Sequence, residues 1–179
     1  GVWVIAETLD LPTKFARIVV TDDRGRYVVP DLPRAAYEVF VRGYGLVDSP
    51  RQKARPGQPL NLTAVVAPDA KAAAQIYPPA WWMSMISLPD GEERQRKIHG
   101  LMRECYDCHQ LGNRFTREMA PYVTGATTAA KWEMRTKIGP SGPPMAGFFQ
   151  QLADDKKLLL DWSDRISSGE APKQAPPRP

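Results

Sequence analysis

Apolar positions fall into two regimes along this chain. Up to about residue 67 they come in short bursts, VWVIAE, ARIVVT, RYVVP, YEVFVRG and LNLTAVVA, each rich in Val, Ile, Tyr or Phe. Turn signals separate them: Asp22-Asp23-Arg24-Gly25, Pro30-Asp31-Leu32-Pro33 and Arg55-Pro56-Gly57-Gln58. Such bursts fit half-buried strands, and in YEVFV the residues Tyr37, Val39, Phe40 and Val41 divide between two faces. With no helix-period segment between them, residues 1–67 predict a small antiparallel β-sandwich. Residues 68–89 read as a connector. APDAKAAAQ suits a short helix, whereas YPPAWWMSMISLPD reads as irregular. In it, Trp81, Trp82, Met83 and Met85 form either a partner surface or, more plainly, packing against a neighbouring domain.

From Asp90 the period becomes helical. Asp90 and Glu93 have capping-box spacing, and Ile98, Leu101, Met102 and Cys105 fall on one face of a first helix. TTAAKWEMRTKI predicts a second helix, stopped at Gly139. Residues 146–168 predict a third, with Phe149, Leu152, Leu159, Trp162 and Ile166 inward and Gly169 as its stop. Pro143 and Pro144 place Met145 in an extended loop before that helix. The Pro-rich tail, 170–179, reads as a semi-rigid linker.

Composition narrows the function classes. The chain has 179 residues, 42% of them hydrophobic, with a formal charge of +4. That content is globular rather than disordered. Lys and Arg are interspersed with Asp and Glu, which argues against a nucleic-acid surface. No apolar run reaches the ~20 residues of a membrane helix. The opening GVWVIAET already lies inside a strand pattern, so the chain reads as a processed or truncated piece.

The chemistry concentrates in ECYDCHQLGN. Cys105 and Cys108 are the only cysteines, and His109 follows directly. In C-x-x-C-H the two thiols add across the vinyl groups of a haem while the adjacent imidazole ligates the iron. Three rivals are weaker. A thioredoxin-type pair needs a βαβ setting and a thiol at a helix N-terminus, but this motif ends a helix. A zinc site needs four ligands, and the fourth candidate, His99, lies roughly 15 Å up the same helix at 1.5 Å per residue. A plain disulfide leaves His109 without a role. The residues therefore point to one covalent haem c, held by Cys105 and Cys108 with His109 as the metal ligand.

Two resemblances extend this reading. TDDRGRYVVPDLPRAAYEVFVRGYGL, with ARPGQPLNLTAV, resembles the carboxypeptidase regulatory-like (transthyretin-like) β-sandwich, which implies a binding or spacer module lacking its first strand. Residues 90–169 resemble a class I cytochrome c: helix, C-x-x-C-H, loops, a methionine-bearing loop, then a C-terminal helix packed on the first. The implied fold class is α+β in two domains, an antiparallel β-sandwich and an all-α cytochrome c domain. So small a helical domain needs a staple, which a covalent haem supplies.

The sixth ligand lies among Met119, Met134 and Met145, since Met102 and His99 share the first helix. Met119 follows His109 too soon to round a porphyrin comfortably, and Met134 falls within a helix. Met145 is favoured, because class I cytochromes place this ligand just before the last helix; an open site is the alternative. Arg114 and Arg117 are candidate propionate partners or a solvated face. Trp132 is a candidate haem contact or simple core, and Trp162 with Leu159 is expected to close the interface between terminal helices. The class usually takes the carbonyl on the imidazole N–H from a proline after the motif; none precedes Pro121, leaving Pro143 as a candidate.

The module order, with Trp132-x-x-Arg135 and D-W-x-D-R-I-x-x-G-E-x-P, resembles large bacterial periplasmic proteins that continue into a streptogramin-lyase-like β-propeller. That implies periplasmic electron transfer, with a redox partner or downstream propeller as neighbour. The alternatives are a haem enzyme or gas sensor with an open distal site, and an assembly module whose working surface is the sandwich with Trp81 and Trp82.

Overall fold

A computed structural model describes residues 1–106 and 109–173 of the chain; Cys108 and the end of the Pro-rich tail, from residue 174, lie outside the described residues. The chain is mixed α and β, with a small antiparallel sheet and seven α-helices among the described residues. It divides into two units, 1–76 and 77–179.

The first unit is built on a four-stranded antiparallel sheet in the order β2-β1-β3-β5, from β1 (Trp3–Thr8), β2 (Phe15–Val20), β3 (Tyr37–Arg42) and β5 (Gln52–Ala54). The register sets Val4 opposite both Val19 and Val41, and Ala6 opposite Val39. Because side chains alternate across a strand, Val4, Ala6, Tyr37 and Val39 share one face and form the core. A second ladder joins β4 (Leu46–Val47) to β6 (Val65–Val66). Of the expected strands, RYVVP forms none and LNLTAVVA only Val65–Val66. Pro30 has no N–H to give a ladder, and Tyr27 instead anchors its segment by donating to the Leu60 carbonyl at 2.7 Å. The Asp22 turn forms as the sequence indicates, its carboxylate accepting from the N–H groups of Arg24 and Arg26 at 2.9 and 2.8 Å. Helix α1 (Ala70–Ala74) begins at Asp69, which accepts from Ala72 N–H at 2.8 Å.

The second unit opens with a helix where the sequence reads as irregular: α2 (Pro79–Met83), started by a proline in its first turn. Trp82 is buried here at 2% exposure, so it packs rather than faces a partner. Helix α3 (Gly91–Leu101) follows Asp90, whose side chain makes no capping bond, and passes directly into a π-helical turn, Met102–Tyr106. That wider turn shifts the helical period, so Met102 faces solvent instead of sharing the apolar face with Leu101. Short α4 (Arg114–Arg117) and α5 (Thr128–Arg135) carry side-chain caps from Asn113 and Thr127.

The single helix expected over 146–168 is two helices, α6 (Gly142–Gln151) and α7 (Lys156–Ser167). They part at Ala153, which sits at φ +46°, a left-handed conformation that breaks the run. Helix α7 packs along α5, and Trp162 donates its indole N–H to the Trp82 carbonyl at 2.8 Å. The interface expected between terminal helices is thus shared with α2 and α5, while α3 reaches the start of α7 through the Lys97–Asp155 ion pair. Gly169, at φ +103°, ends α7 as the sequence indicates. Among the described residues no helix is long and apolar enough to cross a membrane.

Candidate functional site

Four elements of the second unit line a half-open cavity of about 690 Å³. The π-turn supplies Cys105 and the bend after it His109; α4 and the following loop supply Phe115, Met119, Tyr122 and Val123; α5 supplies Trp132 and Arg135; α6 supplies Met145 and Phe149. The size suits a cofactor or drug-sized ligand, and the walls are mostly apolar, as in small-molecule sites generally.

The wall around His109 is fixed by backbone bonds. Its N–H donates to the Cys105 carbonyl at 3.3 Å, which ties His109 to the π-turn. The imidazole lies 5.6 Å from the Phe115 ring at 39°. Just beyond, Gly112 sits at φ +96° against α2, where a Cβ would fall 2.1 Å from the Pro79 carbonyl oxygen. Gly112 N–H donates to Thr116 Oγ1 at 2.8 Å, and its carbonyl accepts from Arg117 at 3.3 Å. The run LGNRFTR is thereby folded back on itself beneath the motif.

Met145 stands in the first turn of α6, not in an extended loop. Pro143 and Pro144 cap that turn from inside, since the first N–H groups of a helix have no intrahelical acceptor to lose. The π-turn bearing Cys105 packs against α6, which brings Met145 to the same cavity. Met119 also lines the cavity, despite its closeness to His109 in sequence. Met134 does not; its sulfur accepts from Thr124 N–H at 3.3 Å on the far side of α5.

Of the two arginines expected to serve a propionate, Arg114 lines the rim and is bound to Glu118 at 2.9 Å. Arg117 turns away, buried beneath α4 with its guanidinium 4.2 Å from the Trp82 ring centre; burial pushes its pKa down. Trp132 forms cavity wall and core at once, stacking on Phe149 at 5.8 Å and 11° and donating to Ser163 Oγ at 2.8 Å. Pro143 is exposed and off the wall, and among the described residues the His109 ring has no hydrogen bond to a carbonyl.

Arg135 was not singled out by the sequence, although it closes the Trp132-x-x-Arg135 motif. It lies between the rings of Phe115 and Trp132, 5.1 and 5.2 Å from their centres, and donates to the carbonyls of Phe115, Thr116 (3.1 Å) and Glu118 (3.4 Å). Burial pulls its pKa down, yet a guanidinium stays charged in proteins. The cavity therefore has a cation built into an apolar wall. Asp161, Arg165 and Glu170, from the C-terminal motif, have a structural use: Arg165 bonds both carboxylates and the Met85 carbonyl, fastening the segment after α2 to α7.

The Cys105 thiol is pushed up to about 11, first by burial and then by Glu104 beside it. A thiol so raised is neutral at physiological pH, the opposite of the low-pKa nucleophile of a thioredoxin-type pair.

No family model, curated protein or solved structure matches this chain.

The site's chemistry is therefore judged on its donors. An imidazole, two thioethers and a half-buried guanidinium around an apolar cavity suit an iron porphyrin, whose iron takes nitrogen and sulfur ligands and whose propionates pair with cations. Among the described residues no three His, Cys, Asp or Glu side chains cluster as a metal cage would require.

Proposed function

We propose that the second unit is a class I c-type cytochrome domain. One haem c would be held through Cys105 and Cys108, with His109 and Met145 as the iron's protein ligands, for electron transfer in a periplasm. The observation that carries this reading is that Met145, from a helix well downstream in sequence, lines the same apolar cavity as Cys105 and His109. The bound haem would supply the one-electron chemistry.

The chain's own residues set the conditions for it. His109 presents an imidazole whose backbone is tied to Cys105. Met145 offers a thioether, a ligand that favours ferrous iron and raises the potential relative to a second histidine. Leu111, Val123, Trp132 and Phe149 are buried and exclude water, which lowers the dielectric around the ligands. Arg114 and Arg135 provide cations for acidic groups at the rim and wall.

The first unit is proposed as the transthyretin-like module, a spacer or docking domain; its antiparallel sheet and second ladder support that reading. The pair serves as the electron-transfer part of a larger oxidoreductase system, with a redox protein or downstream β-propeller as partner.

The test is the visible spectrum of the ferrous protein before and after carbon monoxide. An unchanged spectrum is expected for the natural chain, and a carbonyl-haem spectrum for Met145→Ala. Carbon monoxide binding to the natural chain would mean an open sixth site, moving catalysis or gas sensing to the front.

A further inference from the structure

Two thioethers line the cavity, and they are held differently. Met145 is anchored through its backbone, whose N–H donates to the Ser141 carbonyl at 3.1 Å; among the described residues no donor engages its sulfur. The sulfur of Met119 accepts from Arg135 Nη1 at 3.8 Å. The same guanidinium donates to the carbonyls of Phe115, Thr116 and Glu118, so one rigid fork holds the backbone of 115–118 together with the sulfur that follows it. The Phe115 and Trp132 rings flank the guanidinium and keep it from swinging out.

A sulfur lone pair engaged by a cation is a poorer metal ligand than a free one. Moving Met119 would also break carbonyl bonds to a charged guanidinium, which are stronger than neutral ones. We propose that Arg135 is a positioning residue that selects the sixth ligand: it holds Met119 back, so that Met145 is the thioether available to a haem bound by His109. This rests on the haem reading above. Met119 is then a reserve ligand, released when Arg135 lets go of the 115–119 segment. The choice between sulfurs is made by a hydrogen-bond fork in the wall rather than by the ligands themselves.

The test compares carbon monoxide binding to the ferrous haem in Met145→Leu, Met119→Leu, Met145→Leu/Arg135→Gln and Met145→Leu/Arg135→Lys, with the shift of [methyl-13C]methionine signals as a second readout of which sulfur is bound. Met145→Leu, with Arg135 intact, is expected to bind carbon monoxide. In Met145→Leu/Arg135→Gln the freed Met119 competes for the site. If it occupies nine-tenths of molecules, apparent affinity for carbon monoxide falls about tenfold, because affinity scales with the fraction of open sites. Its methyl signal then shifts strongly under the ring current. The Lys variant, charged but unable to form the fork, is expected to fall between.

A Met145→Leu protein that stays closed overturns the proposal, as does carbon monoxide binding by Met119→Leu alone. So does a double variant no different from Met145→Leu. The single methionine variants leave Arg135 untouched, so they can still overturn the proposal if Arg135→Gln fails to fold. A natural chain with no covalent haem spectrum would instead strike the underlying haem reading, and is read before any variant.

Discussion

Replacing Gly112 by alanine probes how the chain beneath the motif is held in place. Two costs arise. At φ +96° an L-residue is strained, by about 1–2 kcal/mol for a left-handed conformation. The new Cβ would also lie 2.1 Å from the Pro79 carbonyl oxygen and 3.0 Å from Met83 N, so the segment and α2 must separate by about an ångström to reach ordinary contact. The segment cannot slide freely, since Gly112 is bonded on both sides to Thr116 and Arg117. Overpacking of this kind costs about 1–3 kcal/mol, for a total of about 2–5 kcal/mol. That is a large share of the ~5–15 kcal/mol by which a domain is stable.

Gly139→Ala is the control. It lies in the same unit at φ +82° with nothing within 4 Å of its Cβ position, so it carries the conformational cost alone. Guanidinium unfolding followed by tryptophan fluorescence reads the second unit through Trp81, Trp82, Trp132 and Trp162. Gly112→Ala is expected to be the more destabilised by about 1–3 kcal/mol. Equal losses in the two variants would refute the close approach to Pro79, and with it the wedging of the post-motif turn against α2.

Two further outcomes follow from single residues. Ala153→Gly relieves the left-handed strain between α6 and α7 at an exposed position and is expected to stabilise the unit by about 0.5–1 kcal/mol, a rise of roughly 2–4 °C in Tm by calorimetry; an unchanged or lower Tm would contradict it. In Cys108→Ser chain made without haem attachment, the raised Cys105 pKa keeps the thiol protonated below about 11. At pH 9 its thiolate fraction is about fifty-fold below that of an unperturbed thiol of pKa 9.0. Iodoacetamide alkylation is expected to be slow at pH 9 and to accelerate toward pH 11, and a rate that levels off near pH 9 would refute the burial.

The elements that the sequence makes legible are those whose local chemistry and packing agree. β2 alternates and β1 and β3 are runs of β-branched and aromatic residues; α5 falls within TTAAKWEMRTKI, though it ends at Arg135 short of Gly139, and α7 stops at Gly169. RYVVP failed because strand composition cannot say whether a neighbour exists to pair with. The sequence sets Met145 in a loop because two prolines look like helix breakers, yet in a first turn they start the helix. The π-turn at Met102–Tyr106 leaves no periodic signal, because one wider turn shifts the face without changing which residues are apolar. Arg135 was missed because its role depends on carbonyls of Phe115, Thr116 and Glu118 that only the fold brings to it. The C-x-x-C-H motif differs, since the chemistry proposed for it rests on adjacent residues.

The most direct test of the haem assignment is the intact mass of the chain, produced in a bacterial periplasm able to attach haem and measured after acid denaturation. The expected result is the polypeptide plus one haem, with both cysteines blocked to thiol reagents and the added mass lost from a Cys105→Ser/Cys108→Ser variant. A bare polypeptide mass with two titratable thiols would contradict it.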